Sequence, residues 1–196
     1  MGTLVCLHAH PDDEAIATGG SMARAHAEGH RVVLVVATDG AHGEVPDDLV
    51  EGETLQDRRR AETMASAAAL GIDRVEFLDY TDSGMTGWEQ NNHHEAFCQA
   101  DLDAVAHGLT DLLRDEQADV FTIYDWHGGY GHPDHIQVHK VGCRAEQLVR
   151  ADLPNLRVLE STMNRDSMRR MISMAKEMGF DGAGPERGDG EEFNPD

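Results

Sequence analysis

Short apolar runs alternate along this chain with longer stretches whose apolar residues recur at helical spacing. Thr3 to His8 is apolar and bounded, and Arg31 to Ala37 (RVVLVVA) is rich in β-branched residues, so both read as buried strands. Arg74 to Leu78, Val120 to Tyr124 and Arg157 to Glu160 give three more. One helix lies between the first two strands. Gly19 and Gly20 blur its start, and a glycine pair there would let a helix approach the sheet or a ligand closely. Glu53 to Leu70 predicts an alanine-rich helix closed by Gly71. Leu102, Val105, Ala106, Leu109, Leu112 and Leu113 mark the next helix, and Val138, Val141, Ala145, Leu148 and Val149 mark another. Met168, Met171, Ile172, Ala175 and Met178 line one face of a last helix that Gly179 would cap, a stripe that reads as core packing.

This β-α repetition predicts an α/β fold with a mostly parallel five-stranded sheet and helices on both faces. Connections leaving helices are short (Gly29-His30, Ile72-Asp73, Ala118-Asp119), whereas those leaving strands are long: Thr38 to Gly52, Asp79 to His94, Asp125 to His132. The long loops therefore gather at the carboxyl edge of the sheet. In a doubly wound order 3-2-1-4-5, the first and fourth strands are neighbours where the winding reverses, and ligands bind in that crevice.

Two polar runs follow those two strands: His8-Ala9-His10-Pro11-Asp12-Asp13-Glu14 and His132-Pro133-Asp134-His135. His10 and Asp13 stand at i, i+3, so on a tight turn both can reach one cation, with Pro11 stiffening the turn. If Asp13 binds, the neighbouring Asp12 points elsewhere and is free to take a proton from an attacking water. Two histidines, one carboxylate and an open position form a catalytic zinc pattern. The remaining histidine comes from His132 or His135; spacing alone leaves open which one binds and which assists at an oxyanion or leaving group. Asp134 is available to orient the imidazole that does not bind.

Composition narrows the partners. With 37 acidic against 16 basic residues the formal charge is -21, which disfavours nucleic acid and anionic membranes and suits a small-molecule substrate. Only Lys140 and Lys176 are lysines, a balance compatible with a high-salt cytoplasm. Cys6, Cys98 and Cys143 are scattered and odd in number, so a reducing, cytoplasmic compartment is expected rather than a disulfide framework or zinc ribbon. No run approaches a membrane span, and acidic residues by position 12 break the apolar core a signal peptide needs. Residues 1–180 read as one domain, and 181–196 as an acidic Gly/Pro-rich tail or a truncated C-terminal region. A homo-oligomer is compatible with the sequence, which does not fix the assembly.

The other histidines carry no pattern. His8 reads as a packed strand residue and His139 as a helix-surface one, while His26, His30, His42, His93, His94, His107 and His127 have no spaced partner.

Ala9 to Glu14 (AHPDDE) together with Gly128 to His135 (GGYGHPDH) resembles the LmbE/PIG-L zinc-dependent N-deacetylase family, whose members include the mycothiol-pathway deacetylase and a conjugate amidase. The resemblance extends through Thr38-Asp39-Gly40, Arg59-x-x-Glu62 with Leu70-Gly71, and Asp82-Ser83-Gly84-Met85, covering most of residues 3–165. It implies a Rossmann-like fold and hydrolysis of the N-acetyl group of a glucosamine-type sugar or related amide. By position in the motifs, His10, Asp13 and His135 would hold one Zn2+ and Asp12 would be the general base. His132, oriented by Asp134, would assist at the oxyanion or leaving amine with Tyr130 beside it, and Arg59 and Asp82 would contact substrate. Family members are commonly longer at the C-terminus. Two rivals are weighed beside this. A metallo-β-lactamase-like hydrolase is echoed by His8-x-His10-x-Asp12, but the regular β-α alternation is wrong for it; a non-catalytic metal-containing sugar-binding protein has no evident need of Asp12.

Overall fold

The computed structural model describes residues 1–162 continuously and, beyond them, residues 164, 166, 169–170, 173–174 and 177–178. Five strands, β1 (Thr3–His8), β2 (Arg31–Thr38), β3 (Arg74–Tyr80), β4 (Val120–Tyr124) and β5 (Arg157–Ser161), form one sheet in the order β3-β2-β1-β4-β5, and every pairing is parallel. The order expected of a doubly wound sheet is the order found.

The helices are α1 (Gly19–Ala27), α2 (Leu55–Leu70), α3 (Leu102–Asp115), a single turn α4 (Gly128–Gly131) and α5 (Pro133–Val149). Alternate strand residues serve opposite faces. Val5, Leu7, Val33, Val35, Phe121 and Ile123 pack with Val105, Leu109 and Leu113 of α3 and Val138, Val141 and Ala145 of α5. Cys6 and Val32 pack on the other side with Met22 of α1 and the partly buried Leu70 of α2. Of the apolar positions assigned to α3, Leu102 alone stays exposed.

Local signals set the boundaries. α2 begins two residues later than its pattern suggested, because Thr54 and Asp57 close a capping box: each backbone N–H donates to the other's side chain, at 3.1 and 3.2 Å. Such a cap contributes about 1 kcal/mol. Gly71 ends the helix at φ 73°, a left-handed position that favours glycine. The blurred start of the first helix resolves into a π-helical turn, Glu14–Thr18, running into α1. The glycine pair there is not forced by a close approach, since a side chain at Gly20 would meet nothing within 4 Å and one at Gly19 would make ordinary contact with Leu70.

Contacts divide the chain into two compact units, Met1–Thr162 and Met163–Asp196. The first is the sheet and its helices. In the second, residues 166, 169–170, 173–174 and 177 are helical, and the N–H of Met178 donates to Met174 O at 3.0 Å. Met168, Met171, Ile172, Ala175 and Gly179 of the expected last helix lie outside the described residues, as does the stretch 181–196. Among the described residues no helix is long and apolar enough to cross a membrane.

Candidate metal centre and active site

β1 and β4 are hydrogen-bonded neighbours, with register from Leu4↔Val120 to Cys6↔Thr122, so the chain segments leaving them emerge side by side. After β1 the chain turns at once: the N–H of Asp13 donates to His10 O at 3.3 Å, closing a turn across Pro11. After β4 it passes through α4 and re-enters a helix at Pro133, with His132 as the N-cap of α5. Proline suits that first helical position because no N–H is needed there. The second polar run is thus the first turn of a helix aimed at the first run.

Three donor atoms meet there. His10 Nδ1 lies 3.3 Å from Asp13 Oδ2 and 3.3 Å from His135 Nε2, and His135 Nε2 lies 3.4 Å from Asp13 Oδ2. Donors about 2.0–2.2 Å from a tetrahedral ion stand about 3.3–3.6 Å from one another. The triangle therefore fits one face of a zinc-sized tetrahedron, in a donor set that zinc accepts. His10, His132 and His135 also offer nitrogens that lie mutually within 4.8 Å.

The surroundings favour a cation. Burial pulls the His10 imidazole toward neutrality, but its hydrogen bonds to the acceptors Asp13, Asp134 and Asp82 outweigh this and hold its pKa well above the ordinary value. Burial likewise acts to raise the Asp13 carboxyl, yet His10 and His135 hold it far below the usual carboxylate range. His135 is fixed from its other side by Tyr124, whose ring stacks on it at 4.3 Å and 9°.

The ring behind the triangle differs from the arrangement read in the sequence. There Asp134 was paired with His132; here its carboxylate stands 3.2 Å from His10 Nε2 and accepts hydrogen bonds from both the N–H and the hydroxyl of Ser83. The bond between residues 132 and 134 runs through the backbone instead, the N–H of Asp134 donating to His132 Nδ1 at 3.2 Å. Helix capping explains this, because the N-cap side chain accepts from the first turn. Asp82 also sits behind His10, 3.5 Å from its Nε2, and accepts from the N–H groups of Gly84 and His42 at 2.8 and 3.1 Å.

Asp12 stands outside the triangle. Its φ of 103° turns it away from Asp13, a conformation that costs a non-glycine residue on the order of 1–3 kcal/mol. Oε2 of the buried Glu14 accepts its N–H at 3.0 Å, Arg59 Nη2 donates to its Oδ2 at 2.6 Å, and its carbonyl accepts from the N–H groups of Ala15 and Ile16 at 3.0 and 3.3 Å. Burial raises the Asp12 pKa, and this outweighs the lowering by Arg59. The same guanidinium donates to the carbonyls of Pro11 and Gly40 at 2.6 and 2.9 Å, so Arg59 is engaged with protein groups. Gly40 and Gly43 leave the space it occupies.

His132 accepts at Nδ1 from a backbone N–H, so its neutral ring carries the proton on Nε2. Burial and the neighbouring His10 keep it neutral, lowering its pKa to about 4. The Tyr130 hydroxyl lies 3.4 Å from His135 Nε2, and burial raises its pKa. His10, Asp12, Asp13, Arg59, Asp82, Tyr130 and His132 line one cavity of about 190 Å³, together with His42, Gly43, Gly84 and Met85. A larger cavity, about 480 Å³, opens beside Met1, Arg31 and Asp119, away from these groups.

Sequence reasoning passed over Glu14, Ser83, Tyr124 and His42. Glu14 and Ser83 stand inside quoted motifs; the bond of Glu14 to the Asp12 N–H is local, whereas those of Ser83 to Asp134 cross between segments. His42 had no spaced partner, and Tyr124 was counted only as strand.

Comparison with known proteins adds identity to this geometry. A family model described as PIG-L, GlcNAc-PI de-N-acetylase, matches residues 5–146. The chain is 49% identical over 153 residues to a 1D-myo-inositol 2-acetamido-2-deoxy-alpha-D-glucopyranoside deacetylase from Acidothermus cellulolyticus, an overlap covering 73% of this chain and 52% of the relative. The chain thus spans about half the length of the curated relatives it matches. Among solved structures, N,N'-diacetylchitobiose deacetylase from Pyrococcus horikoshii superposes with a TM-score of 0.59 at 28% identity, covering 78% of this chain and 54% of that one. GalB, the 4-carboxy-2-hydroxymuconate hydratase of Pseudomonas putida KT2440, shares the fold with a TM-score of 0.59 at 24% identity, covering 78% and 58%. The family match, spanning both polar runs, assigns this chain to the PIG-L, GlcNAc-PI de-N-acetylase, family.

Proposed function

We propose that the chain is the catalytic core of a zinc-dependent deacetylase that hydrolyses the N-acetyl group of a glucosamine-type sugar. The observation that carries this is the triangle of His10 Nδ1, Asp13 Oδ2 and His135 Nε2, with Asp12 held beside it but outside it. His10, Asp13 and His135 would hold a divalent ion there, which would supply Lewis acidity toward the acetyl carbonyl and toward an attacking water. Asp12 takes a proton from the attacking water, and burial gives it the raised basicity that task needs. His132 Nε2–H and the Tyr130 hydroxyl donate to the developing oxyanion from the cavity wall. The amine leaves protonated and acetate is released. Asp82, Asp134 and Ser83 keep His10 in register, a positioning role, while His42 and Met85 stand where a sugar would enter.

The names of the relatives support the sugar: a glucosaminyl-inositol deacetylase and a diacetylchitobiose deacetylase both act on 2-acetamido sugars. The hydratase neighbour shows that the fold alone does not decide the reaction. A screen for acetate release from N-acetylglucosaminides, including inositol-linked and β-linked disaccharide forms, tests the proposal with zinc-loaded protein. Release from at least one, abolished by chelation, is expected. Binding of such sugars with no acetate release would overturn it in favour of a metal-containing sugar binder.

A further inference from the structure

Asn91 braces the loop that follows β3. Its side-chain N–H groups donate to the carbonyls of Ser83, Gly84 and Met85 at 2.7, 3.4 and 3.1 Å, and its Oδ1 accepts the N–H of Gly87 at 2.9 Å. The Trp88 N–H donates to Met85 O at 3.0 Å, and the Thr86 hydroxyl donates to Gly131 O at 2.8 Å, tying the loop to α4 next to Tyr130. One end of this loop supports His10, through Asp82 directly and through the bonds of Ser83 to Asp134. The other end presents Trp88, whose side chain is 46% exposed. We propose that Trp88 is a stacking platform for a second six-membered polyol ring linked to the acetamido sugar, and so sets a preference for two-ring substrates over the monosaccharide; this rests on the deacetylase reading above.

The indole rests on loop backbone. Gly84 has φ 67°, and a Cβ there would stand 2.7 Å from Trp88 Cε3, so only a glycine lets the ring close onto the loop. A loop braced at this many points gives a half-exposed indole a fixed position, and a rigid aromatic contact loses little conformational entropy when a ligand meets it. Gly84 also sets the place of the ring. It lines the cavity of about 190 Å³ together with Met85, Tyr130 and the residues of the metal centre, so the indole lying on it stands at the cavity rim. Pockets that enclose a whole drug-sized ligand hold about 300–1,000 Å³. The smaller cavity takes the acetamido sugar ring, and a ring linked to that sugar lies outside, against the rim. The chemistry of such a ring fits indole. Sugars and cyclitols carry C–H groups on their faces and hydroxyls at their edges, so the face can cover the exposed indole while the hydroxyls stay in water.

Fluorescence and kinetics on the full chain test this together. The chain has two tryptophans, and in Trp126→Phe the indole emission comes from Trp88 alone. That protein, zinc-loaded and carrying Asp12→Asn so that substrate is not consumed, is titrated with N,N'-diacetylchitobiose and with an inositol-linked N-acetylglucosaminide. At least one of them should change the Trp88 emission saturably, and N-acetylglucosamine should change it far less. With Asp12 in place, Trp88→Ala should lower kcat/KM for the responding two-ring substrate about tenfold relative to that for N-acetylglucosamine, mainly through KM, and Trp88→Phe, which keeps a ring, should recover most of that ratio. Emission that responds to neither two-ring sugar would overturn the platform. So would an unchanged ratio in Trp88→Ala with acetate still released, which leaves the deacetylase reading standing. Equal losses on both substrates, unrelieved by Trp88→Phe, would reduce Trp88 to a support of the loop and overturn the platform as well. A saturable emission change in a protein whose parent releases no acetate would uphold the platform and overturn the deacetylase reading instead.

Discussion

Arg59 holds Asp12 by a hydrogen bond of 2.6 Å from Nη2 to Oδ2, and the same nitrogen reaches the Pro11 carbonyl one residue away. The guanidinium therefore fixes the direction of the carboxylate and the path of the turn that carries it. It also lowers the basicity of Asp12, against burial, which raises it. Removing it should have two separable effects. Arg59→Ala should slow turnover by about tenfold to a hundredfold through loss of alignment. With the lowering influence gone, the Asp12 pKa rises, so the acidic limb of the pH–rate profile should move to higher pH. A slowed enzyme with an unmoved acidic limb would limit Arg59 to shaping the turn.

Ser83 gives Asp134 two hydrogen bonds, and Asp134 in turn faces His10 Nε2. Loss of such an outer partner weakens metal binding by about ten- to a hundredfold without removing a ligand. Ser83→Ala should therefore show a weaker zinc affinity of that order and near-normal turnover at saturating zinc. An affinity unchanged from the parent would mean that the remaining N–H bond is enough to hold Asp134.

The fold was legible because its signals are local or come from loop lengths. Parallel strands require crossovers, and the long loops after Thr38, Asp79 and Asp125 marked the carboxyl edge before any contact was known. The triangle was half legible: His10 and Asp13 share a turn and the doubly wound order sets the second polar run opposite them, but spacing does not say whether His132 or His135 joins them. What could not be read were bonds between loops that sequence keeps apart. Ser83 and Asp134 are 51 residues apart, and the competing local rule, that Asp134 serves its neighbour His132, fails because His132 caps the helix instead. The left-handed backbone of Asp12 was equally hidden, since a position of that kind normally announces itself by glycine.

Asp12 and Asp13 are adjacent yet face different partners, so the same substitution should separate them. Asp12→Asn should keep most of the metal and lose the proton acceptor, a fall of about a hundredfold to ten-thousandfold in rate. Asp13→Asn removes a charged atom from the triangle, so it should lower metal content, and added zinc should restore part of the activity. Turnover and metal content measured on both variants check the split. Equal metal loss in the two would show that the roles are shared.

Beneath the site, Tyr124, His8 and Thr18 form a buried chain in which every polar atom is used. The Tyr124 hydroxyl donates to His8 Nδ1 at 2.8 Å, His8 Nε2–H donates to Thr18 Oγ1 at 2.8 Å, and Thr18 passes its own hydrogen to the Glu14 carbonyl at 3.4 Å. That direction of donation requires a neutral His8. Burial dominates, lowering its pKa to about 4, and the nearby Asp13 offsets only part of that fall. The sign follows from proton counting: between the ordinary 6.5 and about 4 the unfolded chain binds a proton that the folded chain refuses. His8 thus contributes stability that is complete above about pH 6.5 and is lost as pH falls toward about 4, up to about 3 kcal/mol. His10, whose pKa is raised, contributes with the opposite sign, so the parent protein alone cannot isolate the effect. His8→Asn keeps a donor and an acceptor at the position but does not titrate. Denaturant midpoints of metal-free parent and variant at pH 7.5 and pH 5 should show the variant less stable at the higher pH, with the gap narrowing or reversing at the lower one. A gap independent of pH would mean that His8 takes up its proton as readily in the folded chain as in the unfolded one, which the buried chain of hydrogen bonds does not allow.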